Sequence, residues 1–183
     1  MNYYSFDFYG LKRKLAITKI SATKEIANFN LLGDIEFTEK AGDELEKILN
    51  AKNLNPDCFV SVETKVAPFV HHMAKRFGHL RYVVLRKNIR GYMSSPKVKE
   101  PWNSAPKHAR KLVLNGDDEQ YIRGKKVIII DDVVSTGTTM EMAKILIAQI
   151  GTNILATCAI FKQGDNYHED LIYLESLPIM QSS

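Results

Sequence analysis

The 183-residue chain holds two cysteines and one tryptophan, and no apolar run approaches the length of a membrane span. Cys58 and Cys158 each sit in a strand-like stretch, Cys58-Phe59-Val60 and 155–161, so both read as buried, inert thiols. No metal-ligand spacing involves them. The adjacent His71 and His72 fall on a predicted helix, where neighbours point about 100° apart and chelate poorly together. The glycine-lysine signature of a nucleotide-triphosphate loop is absent, and so is the Gly-x-Gly-x-x-Gly dinucleotide fingerprint. Internal repeats and low-complexity segments are missing too. The start Met1-Asn2-Tyr3-Tyr4 lacks the charged-then-apolar pattern of a secretory signal, so the cytoplasm is the expected location.

What is present fits one domain with a full core, since 45% of the residues are hydrophobic. The formal net charge is only +4, but it is unevenly spread. From Lys75 to Lys126 there are 14 Lys and Arg against 4 acids, a local +10 that leaves −6 for the remainder. Nucleic acid is a rival partner for such a run. A small polyanion carrying a diphosphate and a monophosphate explains it more economically, because the run adjoins the motif described next.

Residues 127–139 read Val-Ile-Ile-Ile-Asp-Asp-Val-Val-Ser-Thr-Gly-Thr-Thr. Val127 to Ile130 suit a strand buried on both faces, as in a parallel sheet. Asp131 and Asp132 then fall at its carboxyl end, where open α/β sheets bind ligands. Ser135, Thr136, Gly137, Thr138 and Thr139 precede a helical spacing at Met140, Ala143, Leu146, Ile147 and Ile150. A small-residue loop at a helix start offers several N–H donors and the helix dipole to one phosphate. Gly137 lets the backbone approach closely, and the hydroxyls add donors. Carboxylates would repel the phosphate, so their natural partners are sugar hydroxyls. The sum is a site for a phosphorylated sugar.

Around the motif the chain alternates strands and helices, which argues for a parallel sheet covered on both faces. A helical pattern starts at Thr38 and ends before Pro56. A strand follows at Cys58 to Val62, then a helix from Val66 to Phe77 closed by Gly78, and a strand at Arg81 to Leu85. Lys111 to Leu114 reads as a strand and Tyr121-Ile122-Arg123-Gly124 as a turn. Strands at Ile154 to Phe161 and Leu171 to Leu174 complete the alternation. Residues 1–37, with alternation at Tyr4 to Phe8 and around Leu15-Ala16-Ile17, form a small arm. Residues 87–108 carry Gly91, Pro96, Pro101, Trp102 and Pro106 with no clear periodicity, the mark of a functional or a disordered loop.

The 127–139 stretch resembles the phosphoribosyl-pyrophosphate (PRPP) motif of type I phosphoribosyltransferases. The order of segments from Tyr3 to Pro178 is similar to the adenine and xanthine branch. The resemblance implies an α/β fold with a parallel twisted sheet flanked by helices (38–178), an N-terminal hood (1–37) and a flexible loop (87–108) that closes over substrate. It assigns the ribose hydroxyls to Asp131 and Asp132, and the 5-phosphate to Ser135 through Thr139 with Val133 and Val134 leading in. Thr64 and Lys65 match the pyrophosphate loop, although Lys65 and Val66 stand where the branch usually has arginine and glycine. Lysine keeps the charge but loses the planar fork. Arg86, Lys87 and Arg90 match the branch's basic residues and are expected on the diphosphate. Glu100, Ser104 and Lys107 are the candidates within the loop. Phe161 and Lys162 fall where the base stacks, and a lysine there suits a 2-oxopurine.

The implied activity is transfer of a 5-phosphoribosyl group from PRPP to a purine, adenine first, with release of pyrophosphate. Mg²⁺ would be carried mainly by the substrate, near Asp131 and Asp132. A homodimer is implied, with neither membrane nor nucleic acid as partner. Orientation and charge stabilisation would supply the catalysis, with Asp131, Asp132, Lys65 and Arg86 at its centre. The competing expectation is a catalytically silent PRPP-binding regulator of the same fold.

Overall fold

The protein is described by a computed structural model covering residues 2–182; Met1, the start of the expected arm, and Ser183, the last residue of the expected single domain 1–183, lie outside the described residues. Three antiparallel strands come first: β1 (Tyr3–Phe8), β2 (Leu11–Lys19) and β3 (Lys24–Asn28). Helix α1 (Ile35–Ala51) starts three residues earlier than its apolar pattern, because Asp34 caps it by accepting from the Phe37 N–H at 3.0 Å. Strand β4 (Cys58–Val62) is buried at every position, as coverage on both faces requires.

Helix α2 (Ala67–Arg76) and strand β5 (Val83–Leu85) follow. The segment expected to be a featureless loop contains β6 (Lys97–Lys99), paired antiparallel with β7 (Leu112–Leu114). A bridge between Arg86 and Val113 ties β7 to the end of β5. Lys-Val-Lys is too short an alternation to declare itself in sequence. Helix α3 (Gly116–Ile122) includes Tyr121 and Ile122, which were expected in a turn. Asp117, Asp118 and Glu119 in its first turn complement the helix dipole. Then come β8 (Lys126–Val134), α4 (Thr138–Ala148), β9 (Asn153–Gln163), β10 (Ile172–Leu177) and β11 (Ile179–Gln181).

The central sheet has the order β10-β9-β8-β4-β5, with every pairing parallel. The chain moves from β4 to β5 in one direction and later places β8 on the other side of β4. The junction of β4 and β8 is therefore the topological switch point, where sheets of this kind bind ligands. Alternate β8 residues divide the core. Ile128 and Ile130 join α1, α2 and the N-terminal sheet, while Val127 and Ile129 join α3, α4 and β7. Cys58 and Cys158 are buried and unpaired with each other, and burial pushes the Cys58 thiol up to about 11.

The hood is more than an N-terminal arm. Strand β11 returns from the other end of the chain and pairs with β3, Ile179 opposite Ile26. Two apolar residues after Pro178 gave no periodicity from which to foresee it.

Candidate functional site

Strand β8 runs past its expected end. It pairs with β9 as far as Val134 opposite Lys162, whereas its pairing with β4 stops at Ser61 opposite Ile130. Asp131 and Asp132 thus sit inside a strand held on one side and open on the other, facing the end of β4. A cavity of about 460 Å³ occupies that opening. Thr64, Lys65, Lys87, Asp131, Asp132, Val133 and Thr139 line it, all of them foreseen from sequence. A contiguous hollow of about 130 Å³ is lined by Val134, Ser135, Thr136, Gly137 and Thr138, and shares Asp131, Val133 and Thr139 with the first. The three shared residues set the two hollows side by side.

The backbone of the second hollow is shaped for an anion. Gly137 is the N-cap of α4 with φ 75°, the left-handed region that glycine enters freely. The first helical bond of α4 runs from the Glu141 N–H to the Gly137 carbonyl at 2.9 Å, so the N–H groups before it are left over by helix geometry. The Thr136 and Thr138 hydroxyls lie 3.1 Å apart and hold the turn together.

Electrostatics at the first hollow are set by carboxylates. Burial first, and then the negative charge of Asp132, raise Asp131 well above its ordinary value of 3.8; nearby Lys87 works in the opposite direction. The chain holds both acids by local bonds, Asp132 N–H to Asp131 Oδ1 at 2.9 Å and Val133 N–H to Asp132 Oδ1 at 3.0 Å. Two crowded acids fit hydroxyl donors and a cation. Among the described residues no group of three His, Cys, Asp or Glu could hold a metal alone. Mg²⁺ would therefore need substrate oxygens to complete its shell.

The raised Asp131 predicts how stability varies with pH. Between its unfolded and folded pKa values the folded chain binds more protons than the unfolded one, so stability falls as pH rises through that interval. The substrate-free protein should melt at a higher temperature just above the ordinary aspartate range than at neutral pH. In an Asp131→Asn variant that part of the slope should disappear. Melting curves across pH check this; an unchanged slope would contradict the raised Asp131.

Glu63 is the organiser that sequence reading passed over. One carboxylate oxygen accepts the Lys87 N–H at 2.8 Å, and the other lies 2.8 Å from Arg86 Nε in an ion pair whose N–H is not aligned for a hydrogen bond. The end of β4 and the end of β5 are thereby joined across the cavity mouth. Lys65 Nζ reaches the Phe29 carbonyl at 3.5 Å. Arg86 is committed to Glu63 and, like Arg90, does not line the cavity. From the basic run 75–126 only Lys87 does so.

The base end differs most from expectation. Phe161 is fully buried, its ring centroid 4.7 Å from that of Phe29 and 5.7 Å from that of Phe6, so it seals the hood onto the sheet. Lys162, on the opposite face of β9, turns toward the Tyr173 ring. The β9 residue that lines the cavity is Gln163, one position on, together with Ile26, Ala27, Asn28 and Phe29. Its Nε2 donates to the Ala27 carbonyl at 3.1 Å and so fastens hood to core. Glu100, Ser104 and Lys107 line neither hollow, but His108, at the end of the same loop, borders the second. These residues come from β3 and from loop ends, where no local motif marks them.

The profile of the phosphoribosyl transferase domain matches residues 32–179. A transcriptional regulator, GfcR, of Methanocella arvoryzae is 27% identical over 123 residues, 67% of this chain and 54% of the regulator. An adenine phosphoribosyltransferase of Mesorhizobium japonicum is 48% identical over 42 residues, 23% of each protein. A hypoxanthine/guanine phosphoribosyltransferase of Methanosarcina mazei is 26% identical over 134 residues, 73% of this chain and 65% of that enzyme. The matched stretch thus spans less than two thirds of each of these relatives. Among solved structures, adenine phosphoribosyltransferase of Saccharomyces cerevisiae superposes with TM-score 0.67 at 15% identity, over 94% of this chain and 93% of the other. The enzyme of Thermoanaerobacter pseudethanolicus gives 0.63 at 19% identity, over 95% of both. These likenesses establish a shared fold.

Proposed function

The chain belongs to the phosphoribosyl transferase family, and from that premise we propose that it transfers the 5-phosphoribosyl group of PRPP to a purine, adenine in preference, releasing pyrophosphate. The observation that carries the reading is the convergence at one switch point of Asp131, Asp132, the Ser135–Thr139 loop, Lys65 and Lys87. The two acids receive the ribose hydroxyls. The loop and the start of α4 receive the 5-phosphate. Lys65 and Lys87 face the diphosphate across the cavity, and Glu63 fixes the backbone that presents Lys87. As the carbon–oxygen bond to the diphosphate breaks and the carbon–nitrogen bond to the base forms, positive charge builds on the sugar and negative charge on the leaving group. Lys65 and Lys87 stabilise the second, and the carboxylates of Asp131 and Asp132 the first. Mg²⁺, when bound with the substrate, would neutralise diphosphate charge near Asp131 and Asp132.

Adenine is favoured by the chemistry of the base end. With Lys162 outside, the cavity offers the neutral amide of Gln163 and the backbone of β3. A glutamine amide matches the adjacent donor and acceptor of adenine, whereas a 2-oxopurine is better served by a cation. The test is kcat/KM with PRPP and Mg²⁺ across adenine, guanine, hypoxanthine, xanthine and orotate. Adenine should lead, and Gln163→Lys should lower the adenine-to-xanthine ratio by about tenfold or more. Equal use of all bases, or an unmoved ratio in the variant, would remove Gln163 from base recognition.

The similarity to a transcriptional regulator favours a second reading, in which the same pocket binds PRPP without turnover. Tight PRPP binding with no pyrophosphate from any base would establish it.

A further inference from the structure

Between β9 and β10, residues 165–170 are exposed and polar except at one position. Asp165, Asn166, His168, Glu169 and Asp170 all face solvent, while Tyr167 is 3% exposed. Its ring lies against Gly137: a Cβ built on that glycine would stand 1.9 Å from Tyr167 Cδ2 and 2.3 Å from Cε2. Its hydroxyl donates to Glu141 Oε1 at 2.6 Å, and the same oxygen holds Lys144 Nζ at 2.9 Å, so the ring is fixed to the first turn of α4. Burial, and then the bond to Glu141, raise the phenol well above its ordinary value, which keeps it a neutral donor. Four residues before Tyr167, Gln163 ends β9 and lines the cavity.

We propose that Tyr167 is a positioning residue for the phosphate loop: its ring, clamped by Glu141, closes the space behind Gly137 and holds the left-handed turn that presents the loop and the start of α4 to the 5-phosphate. The proposal rests on the reading of Ser135–Thr139 as the phosphate loop. Glycine is therefore required at 137 twice, once by φ and once by the ring. The phosphate contacts depend on a side chain that never touches the substrate. Because Tyr167 lies only four residues after Gln163, the last residue of β9, the base end and the phosphate end of the site share a support.

Calorimetric titration of the full chain with ribose 5-phosphate and, separately, with pyrophosphate tests this. Tyr167→Ala should weaken ribose 5-phosphate by about tenfold to a hundredfold, the usual penalty of misplaced contacts, and leave pyrophosphate within about twofold. Tyr167→Phe, which keeps the ring, should recover most of the affinity. In turnover, Tyr167→Ala should raise the KM for PRPP more than it lowers kcat. Gly137→Ala should cost at least about fivefold less in the Tyr167→Ala background than alone, because the obstructing ring is gone. Equal weakening of both probes would mean general loosening and overturn the proposal, as would unchanged ribose 5-phosphate binding in Tyr167→Ala. Should Tyr167→Ala not fold, the Tyr167→Phe and Tyr167→Leu variants decide: a fall in ribose 5-phosphate affinity confined to leucine supports the positioning role of the ring, and equal affinities overturn it. Failure of the unaltered chain to bind ribose 5-phosphate or PRPP would instead defeat the functional reading beneath it.

Discussion

The double variant Asp131→Asn, Asp132→Asn is expected to lose PRPP-dependent turnover by about a thousandfold or more while folding normally. The magnitude follows from removing two preorganised charges from a site whose catalysis is electrostatic, where one such group is commonly worth about 10²–10³ in rate. Asparagine keeps the size of each side chain, and its oxygen can still accept the N–H groups of Asp132 and Val133, which now turn to the acids at 2.9 and 3.0 Å. The strand should survive. Stability should if anything rise, since burial and mutual repulsion already disfavour the ionised pair. Steady-state kinetics and a melting curve on one preparation check both halves. Retained turnover would remove the acids from the site, and an unfolded variant would show that they are structural.

Lys87→Ala carries the next largest effect, a fall of about a hundredfold in kcat/KM for PRPP. Lys87 is the one residue of the basic run that lines the cavity, and its charge already acts on Asp131. Its backbone is pinned by Glu63, so little reorganisation is needed when negative charge builds on the diphosphate. Arg90 is exposed and outside the cavity, so Arg90→Ala should change kcat/KM by less than about threefold, in the range of screened surface charge. Parallel kinetics of the two variants check the assignment. A larger loss in Arg90→Ala than in Lys87→Ala would mean that the loop after β5 closes further over the diphosphate than this arrangement shows.

The contrast between Lys87 and Arg90 marks how far sequence alone reaches. Asp131, Asp132 and Ser135–Thr139 are legible because strand, acids, loop and helix start are consecutive, and each step has a local cause. The sheet is legible for the same reason, its buried strands being short runs of β-formers. Gln163, Asn28 and His108 are not legible, because their place in the site is decided by which strand lies beside which. Phe161 and Gln163 share one face of β9, but only the packing of the hood decides that the first becomes core and the second wall. Strands β11 and β6 are each three residues long, below the length at which alternation can be read, whereas β7 declares itself as the unbroken apolar run Leu112–Leu114. Tyr167 is an aromatic in an acidic loop, and nothing in its neighbours announces Gly137.

The central claim is that the pocket between β4 and β8 holds PRPP for transfer to a purine. Pyrophosphate release by the unaltered chain, given PRPP, Mg²⁺ and adenine, tests it most directly. The account predicts one pyrophosphate for each adenine nucleotide formed, and none when the base is omitted. PRPP bound with no pyrophosphate released, with adenine or any other purine, would contradict it.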